Sequence, residues 1–175
     1  MNWSNRLSIL RVLCIPVIIL LMSLPGNAAK WAAVIVFALA SLTDYLDGHL
    51  ARKNGWITDF GKFIDPVADK LLVLSTLIML VQFGTVPGWM VVLILARELS
   101  VDGLRLVAMT KGEVIAAGKL GKIKTFSQMI LILLALVFRR PVFTFVPTMI
   151  LSVWVGVITL WSGVDYFRRN WNLLE

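Results

Sequence analysis

The stretch SLTDYLDGHLARKNGWITDFGKFIDPVADK, residues 41–70, carries five of the chain's seven aspartates. Asp44, Asp47, Gly48 and Ala51 stand at i, i+3, i+4 and i+7, the spacing that puts side chains on one face of an α-helix. Asp65 and Asp69 are one turn apart at the start of the next apolar run, with Gly61 one turn earlier. This pattern predicts two helices, each with an acidic face, flanking a polar connection that contains Arg52, Lys53 and Asn54. Asp59 lies off both faces and reads as a solvated or capping acid in that connection.

The surrounding chain is built for an apolar environment. Its 175 residues are 59% hydrophobic and only 15% charged, and the mean hydropathy is +0.87, far above an ordinary soluble domain. Apolar runs recur at Leu7–Leu24, Trp31–Leu50, Phe63–Phe83, Val86–Met109, Thr125–Phe138 and Phe143–Tyr166, where about 20 residues span a bilayer core. The expected fold is an all-α integral membrane protein of six transmembrane helices. They nearly exhaust the chain, which reads as one domain over residues 1–175, with no repeat to divide it. Breaks fall at Pro25-Gly26-Asn27, Asn54-Gly55, Gly84 to Gly88, Lys111-Gly112 and Arg139-Arg140-Pro141. Period-2 alternation is absent, which argues against a β-barrel and leaves helices to satisfy the backbone in lipid.

Charge placement gives an orientation. With the N-terminus cytoplasmic, fourteen of the 17 Lys and Arg residues lie in or beside cytoplasmic segments, and Lys30, Arg139 and Arg140 face outward. That distribution follows the positive-inside rule and predicts both termini in the cytoplasm. The net charge of +7 then reads as topology and attraction to lipid headgroups rather than as a nucleic-acid surface. The single Cys14 has no partner for an internal disulfide and reads as a packing residue. A cleaved signal peptide is the rival reading of residues 1–30.

Four carboxylates near a membrane repel one another and do not all stay ionised without compensating cations. An oxygen-only donor set with no Cys or His cluster selects hard divalent cations, Mg²⁺ or Mn²⁺, over Zn²⁺. Two such ions on four acids would clamp the attacking and leaving oxygens of a phosphoryl-group transfer. Gly48 and Ala51 would let a bulky phosphate or nucleotide approach the helix backbone. For any single aspartate, a salt bridge to Arg52, Lys62 or Lys70 is the simpler explanation; for four at these spacings it is not.

The pattern Asp44-x2-Asp47-Gly48-x2-Ala51-Arg52-x8-Gly61-x3-Asp65-x3-Asp69 resembles the complete signature of the CDP-alcohol phosphotransferases, eight positions over 26 residues. The resemblance implies a six-helix membrane fold, usually homodimeric, whose acids bind two divalent metals. By the same resemblance Asp44, Asp47, Asp65 and Asp69 are the metal ligands, and Asp69 is also the candidate base that deprotonates the acceptor alcohol. Gly48, Ala51 and Arg52 would lie around the CDP moiety of CDP-diacylglycerol, with Gly61 and Asn5 assigned to the same donor site. His49 occupies a variable slot of the motif and reads as non-catalytic.

The acceptor must be sought in the remaining charges. Arg97 and Arg105 lie in the apolar stretch LARELSVDGLRLVA, with Glu98 beside Arg97, and AAGKLGKIKTFSQM places Lys119, Lys122 and Lys124 within six residues. An intramembrane arginine needs an acid or an anionic ligand. These five cations could surround a second phosphate, as an acceptor bearing its own phosphate requires; a structural ion pair for Arg97 and purely topological lysines are the alternatives. Both stretches, and the opening SNRLSILRVLCIPV with Asn5 and Arg11, resemble the phosphatidylglycerophosphate synthase branch of the family. That branch implies sn-glycerol 3-phosphate as acceptor, phosphatidylglycerophosphate and CMP as products, and a bacterial cytoplasmic membrane location with the active site facing the cytoplasm. Asp102 departs from the branch, which has a small polar residue there. Rival readings are another acceptor within the family, such as inositol phosphate, serine or phosphatidylglycerol, and, from another class, a cation transporter.

Overall fold

The computed structural model describes residues 3–54, 59–113, 115–116 and 118–173; of these, the side chains of residues 3–6, 44–54, 59–63 and 173 lie outside the description. The described residues form six α-helices and no strand: α1 (Trp3–Ser23), α2 (Asn27–Asn54), α3 (Asp59–Gln82), α4 (Gly88–Thr110), α5 (Lys119–Phe138) and α6 (Val146–Arg169), followed by a short 3₁₀ turn, Trp171–Leu173. Each apolar run therefore contains one helix, with α4 and α6 starting two and three residues inside theirs. The helices α2 and α5 overrun their apolar runs, α5 beginning at Lys119 rather than Thr125, because lysine is a good helix former whatever its environment. Asp59, expected in the connection, is instead the first residue of α3, where an acid complements the helix dipole. Among the described residues, α5 and α6 are long and apolar enough to cross a membrane, and Leu7–Ser23 and Asn27–Thr43 are shorter apolar stretches.

The chain forms two compact units. The first comprises Met1–Gln82 with Leu136–Arg139. In it α1 packs against both α2 and α3. Among the described side chains of α1, Ser8, Arg11, Ile18 and Met22 are buried, and their spacings of three, seven and four trace one helical stripe. Ala33, Phe37 and Ala40 do the same on α2, and Ala68, Leu72, Thr76 and Leu80 on α3. Pro16 and Pro66 sit inside α1 and α3, each removing one i→i−4 hydrogen bond. At the end of α1, Arg139 Nη2 donates to the Met22 carbonyl, one of the acceptors that a helix C-terminus leaves without a helical donor. Arg139 itself has φ 44°, a left-handed conformation unusual for a residue with a side chain.

The second unit comprises Phe83–Ala135 and Arg140–Glu175. Here α4 packs against α6, and Trp154 Nε1 of α6 donates to Ser127 Oγ of α5 at 3.0 Å. Gly84, at φ 67°, turns the chain into α4, and its carbonyl accepts from the Val142 amide at 2.9 Å. One core cluster gathers Val101, Leu104 and Ala108 of α4 with Tyr166 of α6, and Ile115 and Phe167 pack against it. Higher on the same helix pair, Gly156 gives room to the Trp89 ring: a Cβ there would lie 2.7 Å from Trp89 Cζ3. Gly156→Ala should therefore lower the unfolding free energy by about 1 kcal/mol through overpacking. Thermal unfolding in detergent checks this, and the loss should shrink in a Trp89→Ala background.

Candidate active site

In the first unit the acidic faces take the form the spacing predicts. The helix α2 continues to Asn54, so positions 44, 47, 48 and 51 share a face. The side chains of Asn5, Asp44, Asp47, Ala51 and Arg52 lie outside the described residues, as does the surrounding of Gly48 and Gly61. Asp65 and Asp69 are described, and both are half-buried. They extend the buried stripe of α3 by two turns toward its N-terminus, in register with Leu72, Thr76 and Leu80. That stripe belongs to a helix packed on α1, and Ser8 of α1 donates its hydroxyl to Asp65 Oδ1. Ser8 is 2% exposed, so the bond is partly buried, and it orients the carboxylate.

The donor chemistry suits a hard cation. Asp65 and Asp69 offer carboxylate oxygens one turn apart with a hydroxyl beside them. The chain's one cysteine, Cys14, is a free thiol, and His49 is its one histidine, so no soft or imidazole-rich set competes. Among the described residues no group of three or more His, Cys, Asp or Glu side chains comes together. The full four-acid set needs Asp44 and Asp47, whose side chains are outside them.

The second unit holds the predicted basic residues, and it divides them. Arg97 and Lys124 meet at one carboxylate: Arg97 Nη1 lies 2.9 Å and Lys124 Nζ 2.5 Å from Glu98 Oε1. Only 14% of the Arg97 and Glu98 side chains and 4% of Lys124 are exposed, so the trio is a partly desolvated cluster with one excess positive charge. Gly121 and Gly163 flank Arg97, and a Cβ on either would meet its side chain at 3.4 Å. Its Nε is buried without a hydrogen-bond partner. Arg105 is held elsewhere, by Tyr166 Oη, which accepts from Nε at 3.0 Å. Lys119 and Lys122 are exposed. The sequence shows Glu98 as a neighbour of Arg97 without giving it a role; a lone glutamate inside an apolar run was the available signal. Ser8 and Tyr166 were missed, since a single serine or tyrosine on a helix carries no pattern.

A model of the CDP-alcohol phosphatidyltransferase family matches residues 1–163. The chain belongs to the CDP-alcohol phosphatidyltransferase family. Among curated members, the CDP-diacylglycerol–glycerol-3-phosphate 3-phosphatidyltransferase of Bacillus subtilis is 43% identical, covering 99% of this chain and 97% of its own. The enzyme of the same name from Pseudomonas fluorescens is 41% identical over 100% and 93% of the two chains. A probable phosphatidylglycerophosphate synthase of Mycobacterium tuberculosis is 42% identical over 96% and 81%. In this family member both acidic faces lie inside the matched segment, as do Glu98, Arg105 and Lys124.

Removing one member of a buried charge cluster leaves the others uncompensated, at a cost of about 3 kcal/mol. Glu98→Gln, which keeps shape and removes the charge, should lower stability by that order. Chemical or thermal denaturation in detergent measures it, and an unchanged midpoint would contradict the role given to this carboxylate.

Proposed function

We propose that the protein transfers the phosphatidyl group of CDP-diacylglycerol to sn-glycerol 3-phosphate, releasing CMP and forming phosphatidylglycerophosphate. The observation that carries the reading is the near-complete match to relatives named for this reaction, at 38–43% identity. The acidic signature supports the donor half of the reading, because all eight of its positions stand at the family's spacing. In this reading the chain is a multi-pass protein of the cytoplasmic membrane with six spans, cytoplasmic termini and a cytoplasm-facing site. It works as a homodimer.

Asp44, Asp47, Asp65 and Asp69 would hold two divalent cations, Mg²⁺ or Mn²⁺. Bound there, such ions supply positive charge that neutralises the diphosphate and the departing phosphate. Ser8 keeps Asp65 in its ligand orientation. Asp69 accepts the proton of the attacking glycerol hydroxyl. The new P–O bond forms at the lipid-side phosphorus while the bond to the CMP phosphate oxygen breaks, and CMP leaves with that electron pair. Gly48, Ala51, Arg52, Gly61 and Asn5 line the CDP end of the donor. Arg97, Arg105, Lys119, Lys122 and Lys124 hold the acceptor phosphate and so set the affinity for the acceptor.

Asp69→Asn should reduce CMP release from CDP-diacylglycerol by at least about a thousandfold while the protein still purifies as a folded helical species. Ser8→Ala should cost about tenfold in activity and raise the Mg²⁺ requirement, since ligand-orienting partners are worth about 10–100-fold. Near-normal turnover of Asp69→Asn would remove the acidic site from the chemistry.

A further inference from the structure

The arginines of α4 are held in two different ways. Arg97 has its Nη1 committed to a carboxylate that also takes Lys124. Arg105 takes part in none of the ion pairs among the described residues; its polar partner is the neutral Tyr166 hydroxyl, which engages Nε alone. The guanidinium also lies against the Tyr166 ring, its Cζ 5.7 Å from the centroid. A guanidinium has five N–H donors. With Nε occupied, both Nη groups remain as a fork, the edge that pairs two phosphate oxygens at once.

Tyr166 is itself immobilised. It is 6% exposed and belongs to the core cluster with Val101, Leu104 and Ala108, the last two on either side of Arg105 along α4. Asn170 Nδ2 donates to its carbonyl at 2.7 Å near the end of α6. The contact therefore fixes a flexible four-bond side chain from a rigid core, sparing the ordering entropy that a free arginine would lose on binding an anion. A neutral partner does this without cancelling the charge.

We infer that Tyr166 is a positioning residue that holds Arg105 by Nε and presents its two Nη groups to the phosphate of the acceptor. The inference rests on the proposed transfer to glycerol 3-phosphate and adds to it the residue that orders this part of the acceptor site. It also separates the two arginines: Arg97 is bound into a charge cluster, and Arg105 is the preorganised phosphate fork.

The test is steady-state kinetics on the purified full-length protein, varying glycerol 3-phosphate at saturating CDP-diacylglycerol, for wild type, Tyr166→Phe, Arg105→Ala and the double variant. Tyr166→Phe keeps the ring and deletes the hydrogen bond. It should raise the acceptor KM about tenfold, as expected for a hydrogen bond to a charged group, with kcat within about twofold and the CDP-diacylglycerol KM unchanged. Arg105→Ala should raise the acceptor KM further, and Tyr166→Phe should add nothing in that background. A wild-type acceptor KM in Tyr166→Phe beside a raised one in Arg105→Ala overturns the role of Tyr166 alone. Independent, multiplicative effects, or a fall in kcat with both KM values altered, mark Tyr166 as merely structural and overturn it as well. An unchanged acceptor KM in Arg105→Ala removes Arg105 from the acceptor site and the inference with it. No CMP release by wild type with glycerol 3-phosphate would instead defeat the underlying reaction. Arg105→Lys gives a second reading should Tyr166→Phe fail to fold: a lysine cannot bind Tyr166 and fork a phosphate together, so a wild-type acceptor KM there overturns the inference.

Discussion

A carboxylate or guanidinium inside an apolar helical protein loses several kcal/mol of hydration, and the structure must return it through hydrogen bonds, opposite charges or bound ions. Both units of this chain are organised around that demand. In the first, Asp65 sits on the buried stripe of α3 and is met by the Ser8 hydroxyl of α1. In the second, Glu98 is met by Arg97 and Lys124. The helices supply rigid spacing, and these polar contacts join α1 to α3 in one unit and α4 to α5 in the other.

The two solutions differ in what they leave over. Glu98 takes two cations on one carboxylate, so the trio ties α4 to α5 and keeps one excess positive charge. Asp65 receives a hydroxyl, a neutral donor that orients the carboxylate and leaves its negative charge in place. A carboxylate held in that way keeps its capacity for a divalent cation, which a salt-bridged one would lose. The same logic separates Arg97, held by an acid, from Arg105, held by a phenol. In each unit one charged group has a neutral hydroxyl partner, Asp65 that of Ser8 and Arg105 that of Tyr166.

Much of the fold was legible in the sequence because helices in an apolar protein are long and continuous, and each run between two breaks became one helix. The ends were not legible where a helix outlasts its hydrophobicity. Lys119 opens α5 and Asp59 opens α3, because helix formation depends on backbone bonds and propensity while apolar runs report surroundings. The helical spacing of the motif acids could be read from the sequence, since α2 and α3 run unbroken through positions 44–47 and 65–69. Their supports could not. Ser8 is 57 residues from Asp65 and Tyr166 is 61 from Arg105; such pairs exist only once the helices are packed. The five cations read as one group from sequence are sorted by the structure according to partner.

Family membership places the chain among enzymes that use CDP-activated donors, and the acceptor is the point on which the functional reading turns. The most direct measurement is CMP release by the purified protein from CDP-diacylglycerol and Mg²⁺ or Mn²⁺, comparing glycerol 3-phosphate with glycerol, serine and inositol phosphate. Release that requires glycerol 3-phosphate and is abolished by EDTA is the predicted result. Equal release with an acceptor lacking a phosphate, or release that persists in EDTA, would contradict it.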